Sequence, residues 1–179
     1  GRLVAEIDGT NRVTEYFYDR NNQLTQKIVY ATAANATAVS NYYSDPSSVP
    51  ASNLNNIRPA STTADQKSWR IYDSAGRLVR TVDAAGAVTD LRYDGASRLT
   101  GTTQYDQVIA TGALTSAPAL ENTTPTADAN KDRVTRRFYD NDGLLLGTLG
   151  AEGYLTESRY DGKGRLITQI AYATATTAS

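Results

Sequence analysis

Tyr72-Asp73-Ser74-Ala75-Gly76-Arg77-Leu78-Val79 reads as two strand-like runs joined by a four-residue turn. Asp at the first turn position can accept a hydrogen bond from an amide two residues on. The fourth position of such a turn asks for positive φ, which Gly takes freely and Asn tolerates. A type I turn followed by a left-handed residue is a common hairpin loop with a bulge. The same form recurs at 8–11, 19–22, 83–86, 94–97, 140–143, 150–153 and 161–164, so eight turns are expected. Ser97 is the poor fit at its fourth position, and strain or a different turn is expected there.

The Tyr-Asp that opens the quoted stretch has a fixed spacing elsewhere. It stands at Tyr18-Asp19, Tyr72-Asp73, Tyr93-Asp94, Tyr139-Asp140 and Tyr160-Asp161. Tyr72 to Tyr93 and Tyr139 to Tyr160 are each 21 residues; Tyr72 to Tyr139 and Tyr93 to Tyr160 are each 67. A fixed period indicates a repeat architecture. Between turns the chain alternates: Thr89, Leu91 and Tyr93 share a face, as do Leu78, Arg80 and Val82, and Leu99, Gly101, Thr103 and Tyr105. Period 2 with β-branched and aromatic enrichment predicts strands, and tight turns between them predict an antiparallel meander. The fold class is all-β, an array of antiparallel hairpins with long loop inserts.

A longer period lies above the hairpins. Measured from Gly1, Gly76 and Gly143, a Tyr-Asp follows 17 residues later at Tyr18, Tyr93 and Tyr160, and a further Tyr 12 residues after that, at Tyr30, Tyr105 and Tyr172. Val13-Thr14-Glu15, Val88-Thr89-Asp90 and Leu155-Thr156-Glu157 match in the middle strands. Three modules are therefore expected over 1–30, 68–105 and 133–172. They are separated by inserts at 31–67 and 106–132, with 173–179 the start of a further insert or a tail. The inserts are rich in Ala, Thr, Ser, Asn and Pro. Asp45-Pro46, Val49-Pro50 and Arg58-Pro59 break any long element, leaving room for a short helix around 51–57. Both ends fall inside the repeat, and the chain is expected to be a segment of a longer array.

Composition narrows the function. A net charge of -1 gives no basic field for nucleic acid or an anionic membrane. No apolar run reaches the roughly 20 residues that a spanning helix needs, and the first residues do not read as a signal peptide. His, Cys and Met are absent. No disulfide, thiolate or imidazole is available, so a Ser-His-Asp triad or a Cys/His zinc site cannot be built from this chain. No cofactor or metal is expected, and no enzymatic activity.

The heptad Tyr-Asp-x-x-Gly-Arg-Leu at 72–78 and at 160–166, Arg-Tyr-Asp-Gly at 92–95 and 159–162, and Phe-Tyr-Asp at 17–19 and 138–140 resemble the YD repeat of the RHS family. The resemblance implies successive β-hairpins winding into a hollow shell, which in toxins encloses a cargo polypeptide. Related arrays occur in bacterial polymorphic toxins, insecticidal toxin complexes, cell-wall-associated proteins and animal adhesion receptors, and carbohydrate binding has been proposed for them. The inserts depart from the plain pattern and suggest loops projecting from one edge of the sheet. The core-closing segment and any toxin domain are lacking, so neither self-cleavage nor toxicity carries over.

Candidate sites are weighed against packing. The repeat positions Tyr18, Asp19, Tyr72, Asp73, Gly76, Tyr93, Asp94, Tyr139, Asp140, Gly143, Tyr160, Asp161 and Gly164 are read as structural, the Tyr packing inward and the Asp capping its turn. Stacking of those Tyr on sugar rings is the alternative. Trp69, Tyr42 and Tyr43 are candidates for a ligand surface, with edge packing the competing role for Trp69. Asp140–Gly143 and Asp128–Asp132 look like fragments of calcium loops but lack the closing Glu. The pairs Asp90/Glu157 and Glu15/Asp19 are read as strand-surface carboxylates and not as a glycosidase pair. Arg77, Arg98 and Arg165 are expected to pair with turn Asp residues of neighbouring hairpins. Asn35 and Asn122 fit the N-glycosylation pattern, which chance explains in a Thr-rich chain.

The expected function is a non-catalytic structural segment of a large secreted or surface bacterial RHS-type protein, a toxin shell or an adhesin stalk. The alternative is a carbohydrate- or receptor-binding adhesin module. Partners would be neighbouring repeats of the same polypeptide, an encapsulated toxin domain or a surface glycan, with edge-to-edge self-association where sheet edges are left open. Nucleic acid and membrane insertion are not expected.

Overall fold

A computed structural model describes residues 1–44 and 54–176, with the side chains of Tyr42 and Tyr43 outside the description. Among the described residues eleven strands form a single sheet, and each pairs antiparallel with its sequence neighbours from the first to the last. They are β1 (Ala5–Ile7), β2 (Arg12–Tyr18), β3 (Leu24–Ala33), β4 (Gln66–Tyr72), β5 (Leu78–Val82) and β6 (Val88–Tyr93). The remainder are β7 (Leu99–Gln104), β8 (Arg133–Tyr139), β9 (Leu145–Leu149), β10 (Leu155–Tyr160) and β11 (Leu166–Ala171). The meander is what tight turns impose, because a two-strand hairpin leaves the chain beside its own last strand.

All eight expected turns form. Their fourth residues, Asn11, Asn22, Gly76, Gly86, Ser97, Gly143, Gly153 and Gly164, all have positive φ. Ser97 takes φ 62, so the strained alternative holds there and the turn type is kept. In every turn the first residue's carbonyl accepts from the fourth residue's N–H, as in Gly76 N–H to Asp73 O at 3.0 Å. The register shifts by one residue just before the Tyr of each Tyr-Asp hairpin, between Ile71 and Tyr72 and between Arg92 and Tyr93, for example. This is the bulge that a left-handed residue produces in such a loop.

The inserts do not project from an edge. They leave after β3 and β7 and return to the adjacent strand, so β3–β4 and β7–β8 stay paired, and their described parts fold back over one face of the sheet. The first contains α1 (Ala36–Ser44) and α2 (Leu54–Ile57), and the second a short 3-10 turn at Leu120–Thr123. Their apolar residues supply the core. Val39 and Ile57 bury against Val13, Ile28 and Tyr30. Ile109 and Leu114 pack on Trp69, Val82 and Val88. The physical reason is that a one-layer sheet has no partner for its apolar face, and each such side chain stabilises by about 1.5–3 kcal/mol only when covered.

α1 is absent from the sequence expectation, although its N-cap is legible. The Asn35 side-chain oxygen accepts from the N–H groups of Thr37 and Ala38 at 3.0 and 3.1 Å, as an N-cap does. The helix expected over 51–57 is seen as Leu54–Ile57. Residues 51–53, Asp45-Pro46, Val49-Pro50 and the last three residues lie outside the described residues. The strands also overrun the expected modules, since β3 continues to Ala33 and β4 begins at Gln66.

The core contacts predict that residues 68–105 alone will not fold cooperatively. That piece carries Trp69, Val82 and Val88 but lacks Ile109 and Leu114, which cover them. Thermal unfolding followed by circular dichroism should give a broad, sloping signal for 68–105 and a sigmoidal one for the full chain.

Candidate functional site

The repeating chemistry is concentrated at the Tyr-Asp corners, where each residue has a defined partner. The Asp carboxylate accepts from two amides of its own turn, two and four residues on. Asp73 Oδ1 takes the N–H groups of Ala75 and Arg77 at 2.9 Å each, and Asp94 Oδ1 takes those of Ala96 and Arg98 at 2.9 Å each. Asp8, Asp19, Asp83, Asp140 and Asp161 do the same. Oδ1 of Asp140 and of Asp128 therefore accepts from backbone amides, as in a turn cap. Among the described residues no group of three or more acidic side chains is placed to hold a metal.

The Tyr of each corner ties its strand to the one before. Tyr18 donates to Leu3 O at 2.8 Å, Tyr72 to Leu24 O at 3.1 Å and Tyr93 to Leu78 O at 2.9 Å. Tyr139 donates to Leu99 O at 3.1 Å and Tyr160 to Leu145 O at 2.9 Å. Four of the five acceptors, Leu24, Leu78, Leu99 and Leu145, are the Leu that follows a turn, so the hydroxyls form a ladder along the corner edge. The rings are half-buried. Replacing Tyr93 by Phe should cost about 1 kcal/mol, the net worth of one such bond, read as a lower urea midpoint with an unchanged slope.

Arg77, Arg98 and Arg165 pair differently from expectation. Each forms its ion pair with the Asp of its own turn, four residues earlier, at 2.7 Å. The next hairpin contributes a main-chain carbonyl instead: Arg77 reaches Asp94 O at 3.2 Å and Arg98 reaches Asp140 O at 2.8 Å. The guanidinium then lies over the next Tyr ring, 5.1 Å from Tyr93 and 4.9 Å from Tyr139, a cation–π arrangement. A side chain held by its own turn while touching the neighbouring hairpin links the two without a second carboxylate.

These contacts shift the acids. The amide of the closing Arg, with its guanidinium, holds Asp73, Asp94 and Asp161 below the usual carboxylate range. At Asp8 the Thr10 hydroxyl does so first, then the Arg12 amide. A pKa lowered on folding means that the folded chain binds fewer protons than the unfolded one in the acid range. The stabilisation is present above the unfolded value of about 3.9 and is lost as pH falls through the lower folded values. The melting temperature should stay level from about pH 7 to pH 5 and fall steeply below about pH 4.

A second constellation recurs in the three modules, and an insert contacts it in the first two. Tyr30, Tyr105 and Tyr172 donate to Glu15, Asp90 and Glu157 at 2.7, 2.9 and 2.5 Å. Arg58, from the first insert, forms an ion pair with Glu15, whose side chain is only 4% exposed. In the second module Arg80, itself 4% exposed, grips Asp90 and also donates to Leu120 O at 2.9 Å and Thr124 Oγ1 at 2.9 Å in the second insert. Burial and the Glu15 hydrogen bond push the Tyr30 hydroxyl pKa well up. Asp65 closes the neck of the first insert by accepting from Ala31 N–H at 3.0 Å, and Asp132 closes the second by accepting from Asp106 N–H at 2.9 Å. The matched positions of Tyr30, Tyr105 and Tyr172 and of their carboxylates were visible as spacing. Their pairing, and the roles of Arg58, Arg80, Asp65 and Asp132, were not, because those contacts join residues 10 to 43 apart in sequence that only the folded strands and inserts bring together.

The chain contains a sixth Tyr-Asp, Tyr105-Asp106, which opens the second insert and makes no corner. Trp69 is 1% exposed and donates from Nε1 to Thr115 O at 2.8 Å, so it is a core residue and not part of a ligand surface. The side chains of Tyr42 and Tyr43 lie outside the described residues.

The RHS Repeat family matches residues 72–106, which hold the quoted heptad and the two corners built on Tyr72 and Tyr93. The chain carries an RHS repeat. The hairpins on either side of this RHS repeat share its corner geometry. The crystal structure of TcdB2-TccC3 without its hypervariable C-terminal region has the same fold, with a TM-score of 0.56 and 18% identity over 96% of this chain. That of TcdB2-TccC3-Cdc42 also gives 0.56 and 18% over 96%, and that of TcdB2-TccC3-TEV gives 0.55 and 18% over 94%. This chain spans 7% of the length of each of those chains. No curated protein matches it.

Proposed function

We propose that this chain is a non-catalytic wall segment of a large secreted or surface bacterial RHS-type protein, its sheet forming part of a shell around a toxin polypeptide. The chain is a structural RHS-repeat segment. The observation that carries the proposal is the uninterrupted eleven-strand order, kept across two inserts of about thirty residues. Every hairpin is joined to the next by main-chain ladders, a Tyr hydroxyl or a shared Arg, which suits a continuous wall more than a pocket. The three modules at 1–30, 68–105 and 133–172 act as its units, and the outer strands β1 and β11 are where neighbouring repeats would add. The inserts lie against the sheet as covers, so their apolar side chains serve the wall and not a receptor.

Limited proteolysis of the parent protein, intact and with residues 68–132 deleted, tests this reading. A shell predicts that an enclosed polypeptide resists digestion in the intact protein and becomes sensitive after the deletion. A stalk predicts no protected cargo in either, and electron micrographs that merely shorten.

A further inference from the structure

Two arginines stand at equivalent places on the face turned away from the inserts. Arg70 lies on β4 next to Trp69, which faces the second insert, so alternation puts Arg70 on the other side. Arg137 on β8 is 67 residues later. Arg70 is directly opposite Thr81, which is opposite Thr89; Arg137 is opposite Thr148, which is opposite Thr156. Directly opposed residues share a face, so each Arg heads a row of two threonines.

Among the described residues both guanidinium groups lack a counter-charge. Six arginines of the chain are buried or half-buried: Arg58, Arg70, Arg77, Arg80, Arg98 and Arg137. Four of them hold a carboxylate. Among the described residues Arg70 and Arg137 have none, and Nη1 of each is shut off from solvent without a hydrogen-bond partner. Arginine cannot shed its proton, and an unpaired buried donor is costly. The cost recurs at the same repeat position, which a chance packing defect would not do.

We propose that Arg70 and Arg137 are two equivalent sites for a carboxylate-bearing ligand. Because Nη1 is closed off, a carboxylate meets the other edge of the planar fork, Nε and Nη2, through two parallel hydrogen bonds. Each row offers a single cation and two hydroxyls, which balances a monoanion and leaves a dianionic phosphate half-neutralised. The two sites are four strand steps apart, roughly 19 Å at the usual spacing, so each takes its own carboxyl group.

The test is acetate titration of the full chain at constant ionic strength, following the arginine Nε–Hε signals by NMR, with chloride as the control salt. Two signals, assigned by R70Q and R137Q, should shift saturably with acetate and not with chloride. R70K and R137K keep the charge but lose the fork, and each should weaken acetate at its own site roughly tenfold or more, read from the backbone amide signals of the facing Thr81 and Thr148. Competition by poly-L-glutamate would assign the carboxylate to an acidic polypeptide, and competition by polygalacturonate to a uronate polymer. Shifts that grow linearly with acetate, or that chloride reproduces, would overturn the proposal. Lysine variants that bind acetate as well as the parent would do so too.

Discussion

Arg80→Ala should lower the unfolding free energy by roughly 3–5 kcal/mol, the cost of leaving one partner of a buried ion pair uncompensated. Arg80 is 4% exposed and its fork is spent on Asp90, with Nη1 also holding the Leu120 carbonyl and the Thr123 and Thr124 hydroxyls. Truncation strands the Asp90 carboxylate beneath the second insert and frees the 3-10 turn that lies on it. Against a typical domain stability of about 5–15 kcal/mol, the loss is large. Urea denaturation of the variant should show a much lower midpoint. The double variant Arg80→Met with Asp90→Leu should recover much of the loss, because no charge then remains buried. A double variant as unstable as the single one would mean that packing, and not charge, holds the insert.

Gly86→Ala should be more damaging than Gly164→Ala, although both residues hold the fourth position of a turn at φ 86 and 74. The shared backbone strain of a non-glycine residue there costs on the order of 1–3 kcal/mol. The surroundings separate them. At Gly86 an added Cβ would stand 2.1 Å from the Ile109 carbonyl oxygen, a backbone atom of the second insert. At Gly164 it would meet only the Leu144 methyls at 3.8 and 3.9 Å. The close approach exists because Ile109 N–H donates to Gly86 O at 2.9 Å, fixing the start of the insert over the turn. Gly86→Ala must displace that segment and with it the cover of Val82 and Val88. Its melting temperature should fall well below that of Gly164→Ala, with increased proteolysis between 106 and 132. Equal losses in the two variants would show that only φ matters.

The turn chemistry was fully legible in the sequence. Asp or Gly at the first position and Gly, Asn or Ser at the fourth marked eight turns, and the strand alternation between them determined the meander. Ser97 shows how far this reaches: a side chain that disfavours positive φ still adopts it, because the flanking ladders over-determine the turn. Local propensity is sufficient here because each hairpin closes over a few residues, and sequential pairing follows from chain continuity.

The inserts behaved otherwise. Their composition, poor in alternation and broken by Pro, looked like projecting loop, yet Val39, Ile57, Ile109 and Leu114 are cover for the sheet. Trp69 looked available at a strand start and is buried by a segment 46 residues away in sequence. Arg77 and Arg98 were expected to seek a neighbouring carboxylate and found their own turn's Asp. Arg70 and Arg80 are both strand arginines, yet one is neutralised and the other is not. In the sequence, the short-range pattern decided the turns, the strand order and the repeat period. Which face is covered, which arginine meets a carboxylate and which aromatic disappears from the surface were decided by the tertiary structure. Those outcomes depend on contacts between segments tens of residues apart, and no local preference encodes them.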